Sequence, residues 1–194
     1  MAFIIGEITG LILIFDQDKT STNFEKIFIG LFVMFYTLIQ FFELNIYLSN
    51  GNNKKNQIYK KMLALNLGFQ GLIFFLLASF IYKINPIYLI ICGIVSFIIM
   101  LNVFQNDVNI NLTETNCLKW NFMSDPKINV SLGLMYFIMF LWIFFDTGSE
   151  YLKYIGFVLL GTLIFSYFIL SGRANSPSLW CLSSAIAAPL FLLR

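Results

Sequence analysis

The residues best able to do chemistry in this chain are polar side chains set inside long apolar stretches. Tyr36, Gln40, Glu43 and Tyr47 follow an i, i+4, i+7, i+11 spacing, and Glu43 is the sole charged residue between positions 27 and 53. At about 100° per residue these four fall within roughly 60° of one another, a continuous stripe along one helix face. Asn66 and Gln70 form a second i, i+4 pair, and Glu7 is the sole charged residue of the first fifteen. A carboxyl in low dielectric has its acid form favoured. Glu43 is therefore the expected titratable centre of a substrate site or pathway formed with Tyr36, Gln40, Asn66, Gln70 and Glu7. The competing expectation is that these groups only bond helix to helix, each bond contributing about 0.6–2 kcal/mol.

The elements that must hold these residues are membrane helices. Residues 62–82, 84–106, 128–145, 154–172 and 174–193 contain no charged side chain. A hydrocarbon layer about 30 Å thick needs roughly 20 apolar residues of helix. The 194 residues are 59% hydrophobic, 18% aromatic and 11% charged, with a mean hydropathy of +0.81. An ordinary soluble domain carries about 25% charged residues. The fold class expected is all-α, a single bundle of seven transmembrane helices near 2–15, 27–48, 62–82, 85–104, 130–146, 152–170 and 177–193. Six spans remain if the first segment does not cross.

Asn85-Pro86 and Ser176-Pro177 each pair a capping residue with a proline suited to the first helical position. Pro189 removes one backbone donor inside the last span, and in lipid such a break needs a neighbouring helix or polar side chain. The one substantial loop, about 105–129, holds Trp120, Phe122 and Met123 among polar residues and suits the headgroup level. A short turn joins the second and third spans, so they should pack antiparallel. With residues 49–61 taken as that turn, Glu43–Asn66 and Gln40–Gln70 hydrogen bonds are expected, with Glu7 joining them.

Several activities lose their support. The chain has no His, which removes His-based metal sites, haem ligation by His, and Ser-His or Cys-His nucleophiles. Residues 174–193 contain no Lys, so an opsin-like Schiff base is not expected. There is no Walker loop and no GxGxxG. Cys92, Cys117 and Cys181 lack CxxC spacing and read as inert thiols. No metal and no cofactor is expected. The expected partners are membrane lipids and a small polar solute or proton. A net charge of +2 with scattered basic residues argues against nucleic acid, and a homo-oligomer is compatible with the composition.

One resemblance is carried by Ser176-Pro177-Ser178-Leu179-Trp180-Cys181 and the small residues that follow. It resembles the Ser-x-Trp-Cys ending of an uncharacterised family of short seven-span proteins of large DNA viruses and unicellular eukaryotes. The Gln40/Glu43 pairing is similar in kind, whereas Ser183-Ser184 stands where that family has more bulk and polarity. The resemblance covers about a dozen residues and implies a seven-span architecture in a host or viral membrane, with no activity attached.

Lys54, Lys55, Lys60 and Lys61 make the densest basic stretch, with no acid beside them. The positive-inside rule then places this turn and the N-terminus in the cytosol. The sequons at Asn111 and Asn129 would face the same side and read as unmodified. Three functions are compatible with the pattern. The first is a small transporter, channel or ligand-binding protein built on Glu43. The second is a structural or interaction protein of a cellular or viral membrane. The third is an interfacial lipid-modifying enzyme using Asp146 and Glu150, or Asp107.

Overall fold

The computed structural model describes residues 2–16, 23–49, 53–112, 118–120, 125–170 and 183–193. The chain is a helical bundle with helices α1 (Ala2–Phe15), α2 (Asn23–Leu48), α3 (Asn53–Ala78), α4 (Pro86–Gln105), α5 (Pro126–Leu141), α6 (Glu150–Leu170) and α7 (Ser183–Leu193). Among the described residues, four helical stretches are long and apolar enough to cross a membrane: Asn23–Leu48, Lys54–Ala78, Pro86–Gln105 and Pro126–Asp146. The segments Ala2–Phe15 and Ser183–Leu193 are apolar but shorter. Cys117, Arg173 and the Ser176–Cys181 motif lie outside the described residues.

Two helix starts follow one local rule. The Asn85 side chain accepts from the Ile87 N–H at 3.1 Å, and Asp125 accepts from the Lys127 N–H at 2.8 Å, each just before a proline. Such caps satisfy one of the orphan amides at a helix start. The Asp125 cap moves the start of α5 four residues ahead of the expected position 130. The start of α3 moves further, from about 62 to Asn53. Lys and Gln are good helix formers, so the helix runs through the lysine-rich stretch that apolarity alone assigns to a turn.

Within the expected loop, the described residues include two short strands. Strands β1 (Ile110–Leu112) and β2 (Leu118–Trp120) pair antiparallel with Ile110 opposite Trp120. Val108 and Ile110 are buried in the core, which anchors this hairpin to the bundle end.

Close helix contacts occur where glycine removes the side chain. A Cβ on Gly30 would lie 2.6 Å from the Gly10 carbonyl oxygen and 2.9 Å from Ile14 Cγ1. Helices α1 and α2 therefore touch backbone to backbone, a small-residue contact common between membrane helices. Gly30→Ala should cost about 1–3 kcal/mol by overpacking. Gly161→Ala, which meets nothing within 4 Å, should be neutral or stabilising. Thermal unfolding of the two variants in detergent checks this contrast, and equal melting temperatures would refute the close crossing.

Helix α3 occupies the middle. Ser96 Oγ on α4 donates to the Gly68 carbonyl at 2.9 Å, while Gly71 faces both Met135 of α5 and Cys92 of α4. Trp142 sits edge-on to Phe74, Phe75 and Tyr82, with ring centroids 5.6, 5.6 and 5.4 Å away. It opens a π turn, Trp142–Asp146, that continues α5. Helix α7 packs along α6 through Thr162–Ser184 (2.9 Å) and Ser166–Ser183 (3.1 Å). Its last turns tighten into a 3-10 helix, Ala188–Leu193, at Pro189. The Tyr154 and Tyr151 hydroxyls donate to the Leu190 and Phe191 carbonyls at 3.1 Å each. These tyrosines of α6 satisfy carbonyls at the C-terminal end of α7, past Pro189, not the carbonyl one turn before it that the proline leaves without a donor.

Candidate functional site

The six residues singled out by sequence do not form one cluster. Gln40 Nε2 donates to Glu43 Oε2 at 2.9 Å within α2, and both side chains are half-buried. Asn66 Nδ2 donates to the Phe35 carbonyl at 3.0 Å, and Gln70 Oε1 accepts from the Tyr136 hydroxyl of α5. Glu7 accepts from Thr37 Oγ1 at 2.9 Å. Tyr36 is buried, with its ring 6.2 Å from that of Phe32.

The expected Glu43–Asn66 and Gln40–Gln70 bonds are replaced by these partners, and the cause is register. Asn56 Nδ2 donates to the Ile46 carbonyl at 2.8 Å, and Asn66 to Phe35. Those two bonds place Glu43 level with about residues 58–59 of α3, near its start, rather than with Asn66. Because α3 begins nine residues before the expected position, the pairing slides by about two turns. Glu43 lies about 7–8 Å from the end of α2 by rise per residue. It belongs to the lysine-rich end of the bundle, not to its middle.

The middle instead holds a cleft between α2, α5, α6 and α7. Its wall includes Val33, Tyr36, Tyr136, Leu159, Ala185 and Phe191, with Phe74 of α3 behind them. Its volume, open space at the mouth included, is about 690 Å³. Of the wall hydroxyls, Thr37 bonds Glu7, Tyr136 bonds Gln70 and Ser184 pairs with Thr162. The surface facing the cleft is accordingly hydrocarbon. Three of the expected residues thus meet the cleft, Tyr36 directly and Glu7 and Gln70 through Thr37 and Tyr136. Gln40, Glu43 and Asn66 do not line it.

A second polar group, at the opposite end from Glu43, was not anticipated. Lys26 Nζ is 2.6 Å from Asp16 Oδ2, with side-chain exposures of 9% and 36%. Asp16 follows the C-terminus of α1 and Lys26 sits in the first turn of α2, each at the dipole end that disfavours its charge. Their mutual attraction offsets this. Tyr82 donates to Glu25, and Tyr88 donates to Asp146. Glu150 pairs with Lys153 at 3.0 Å, so the two acids expected to act together in an interfacial enzyme bond different partners. Among the described residues, no group of three or more Cys, Asp or Glu could hold a metal ion.

Burial, then the hydrogen bond and charge of Glu25, push the Tyr82 phenol above its ordinary value of 10. A raised folded-state pKa means that the stabilisation is complete below the unfolded value. It is lost as pH rises through that value toward the folded one. Above about pH 10 the native protein should lose stability more steeply than Tyr82→Phe, and pH-dependent melting measures the difference. Parallel pH curves would refute the Glu25 contact. Sequence offered a faint sign of this end: charged residues flank the connector between the first two apolar segments, and tyrosines flank Asn85-Pro86.

No family model, curated protein or solved structure matches this chain. The reading of the site therefore rests on its own geometry.

Proposed function

We propose that the chain is an integral membrane protein that binds an apolar ligand, a lipid hydrocarbon chain, in the cleft between α2, α5, α6 and α7. The observation that carries this reading is the cleft's hydrocarbon surface, with the Thr37, Tyr136 and Ser184 hydroxyls bonded to groups behind the wall. The cleft's volume includes the open space at its mouth, so the cleft would hold part of a chain rather than enclose a whole small molecule. Its narrow interior suits a slender chain better than a fused ring system. Transfer of a chain from bilayer to cleft gains little hydrophobic free energy, because lipid is as apolar as Leu. Selectivity would come from close packing.

This keeps the ligand-binding arm of the first expectation and moves its centre from Glu43 to the cleft. Transport of a polar solute or proton along Glu43 has less support, given its level at the lysine-rich end. The bundle would carry seven membrane-inserted helices. Of these, α1, at about 21 Å by rise per residue, falls short of the full hydrocarbon thickness. The lysine-rich start of α3 supports a cytosolic N-terminus.

The test is photolabelling of the full chain in bilayer nanodiscs, using a phospholipid with a photoactivatable group in its acyl chain. Labelled peptides should map to residues around Val33, Tyr136 and Ala185. Ala185→Leu, which fills the cleft, should reduce that labelling at least about fivefold. Labelling spread evenly over lipid-facing residues such as Phe97 and Phe137, and unaltered in Ala185→Leu, would sink the reading.

A structural role is the second reading, favoured by the bonds that polar side chains make between helices at Thr37, Asn66 and Ser96. It predicts that Glu43→Gln and Ala185→Leu both leave the behaviour of the protein in its membrane unchanged. A single-cysteine variant at position 43, with Cys92, Cys117 and Cys181 replaced, separates this from a pathway. Labelling by an impermeant thiol reagent from one side supports a wet pathway there.

A further inference from the structure

Two buried polar atoms on one face of α3 lack a protein partner. Asn66 is 6% exposed and Gln70 is fully buried. Asn66 Oδ1 and Gln70 Nε2 make no hydrogen bond, while the other amide atom of each is engaged. Leaving either atom unpaired in the bundle would cost about 1–3 kcal/mol. The two side chains are i, i+4 neighbours, whose Cβ atoms on a helix lie about 5–6 Å apart. That separation suits one small bridging group.

The atoms are also chemically complementary, an acceptor on Asn66 and a donor on Gln70. The Asn66 orientation is fixed, because its amide nitrogen must face the Phe35 carbonyl at 3.0 Å. Gln70 could be turned over, since a tyrosine hydroxyl can both donate and accept. The unpaired atoms would then be two acceptors. A hydroxyl-type bridge answers either case when it is water, which donates twice or donates once and accepts once.

We infer that Asn66 and Gln70 form a binding site for one hydroxyl-bearing molecule in the middle of the bundle. Its source is either a single water or the hydroxyl of an amphipathic ligand whose chain lies in the cleft. A water held there would have two polar partners, the minimum for a buried water, and would need room of about its own size between the amides. The second source rests on the cleft reading, and Tyr136 supplies the connection, because it both lines the cleft and bonds Gln70. In that case the ligand is a long-chain alcohol or another lipid with one hydroxyl, not a charged headgroup, since the site presents only neutral amides.

The experiment is a crystal structure of the full chain, grown from a lipidic mesophase at a resolution that shows ordered water, with Gln70→Met beside it. A round peak within hydrogen-bond distance of both amides, lost in Gln70→Met, supports the site with water as its source. Elongated density running past Tyr136 into the cleft supports it with a ligand hydroxyl. Both amides bonded to protein groups, with no peak between them, overturn it. If Gln70→Met fails to fold, Asn66→Leu serves in its place. Melting adds an independent reading: Asn66→Leu with Gln70→Met should lower the melting temperature less than the two single losses summed, and a simple sum counts against the shared bridge. A round peak with no chain labelling at the cleft would end the cleft reading and leave this site standing.

Discussion

Trp142→Ala should lower the stability of the bundle by about 3–5 kcal/mol, the usual range for a buried Trp truncated to Ala. The indole is 3% exposed and meets Phe74, Phe75 and Tyr82 edge-on. Such aromatic pairs contribute about 0.5–1.5 kcal/mol each beyond burial. Lipid tails cannot refill the space, because α3 and the turn that follows it close around the ring. Trp142→Phe keeps one aromatic plate and should lose about a third as much. Equilibrium unfolding in detergent measures both. A loss below about 1 kcal/mol for Trp142→Ala would mean that the ring is not the hub of α3 and α5.

The second large effect is asymmetric. Asp16→Asn leaves the Lys26 ammonium 9% exposed and without its carboxylate, and should cost about 3 kcal/mol, as for a broken buried pair. Lys26→Met leaves Asp16, 36% exposed, free to take water. It should cost about 1 kcal/mol, close to the value of a surface pair. The double variant should resemble Lys26→Met alone, since the charge needing a partner has gone. Melting at neutral pH reads all three. Equal losses from the two single changes would show a surface ion pair of no special burial.

The contrast between Asp16–Lys26 and Glu43 explains how much of this molecule was legible in its sequence. Apolar runs locate the helices, and Asn85-Pro86 marks a start to the residue. Asp125-Pro126 carries the same signal, and reading it would have corrected α5. Nothing local marks the start of α3, because a helix does not end where its hydrophobicity ends. That one boundary decides which residues of α2 and α3 face each other, and so which partners Glu43, Gln40, Asn66 and Gln70 receive. Lys26 looked like a connector residue, since burial of a charge depends on a partner ten positions away. The Gln70–Tyr136 bond joins residues 66 positions apart and has no sequence signature.

The π turn at Trp142–Asp146 has a consequence for length variation in this chain. Its Thr147 N–H reaches back five residues to the Trp142 carbonyl at 3.1 Å, so the turn holds one residue more than an α-helix would. Loss of a single codon there would remove the extra residue and return the segment to ordinary helical geometry, leaving the helix before it in register. A deletion in α5 ahead of Tyr136 would instead carry that residue away from Gln70 and the cleft wall. Position 142–146 is thus where this bundle can absorb or shed a residue with its central contacts unmoved.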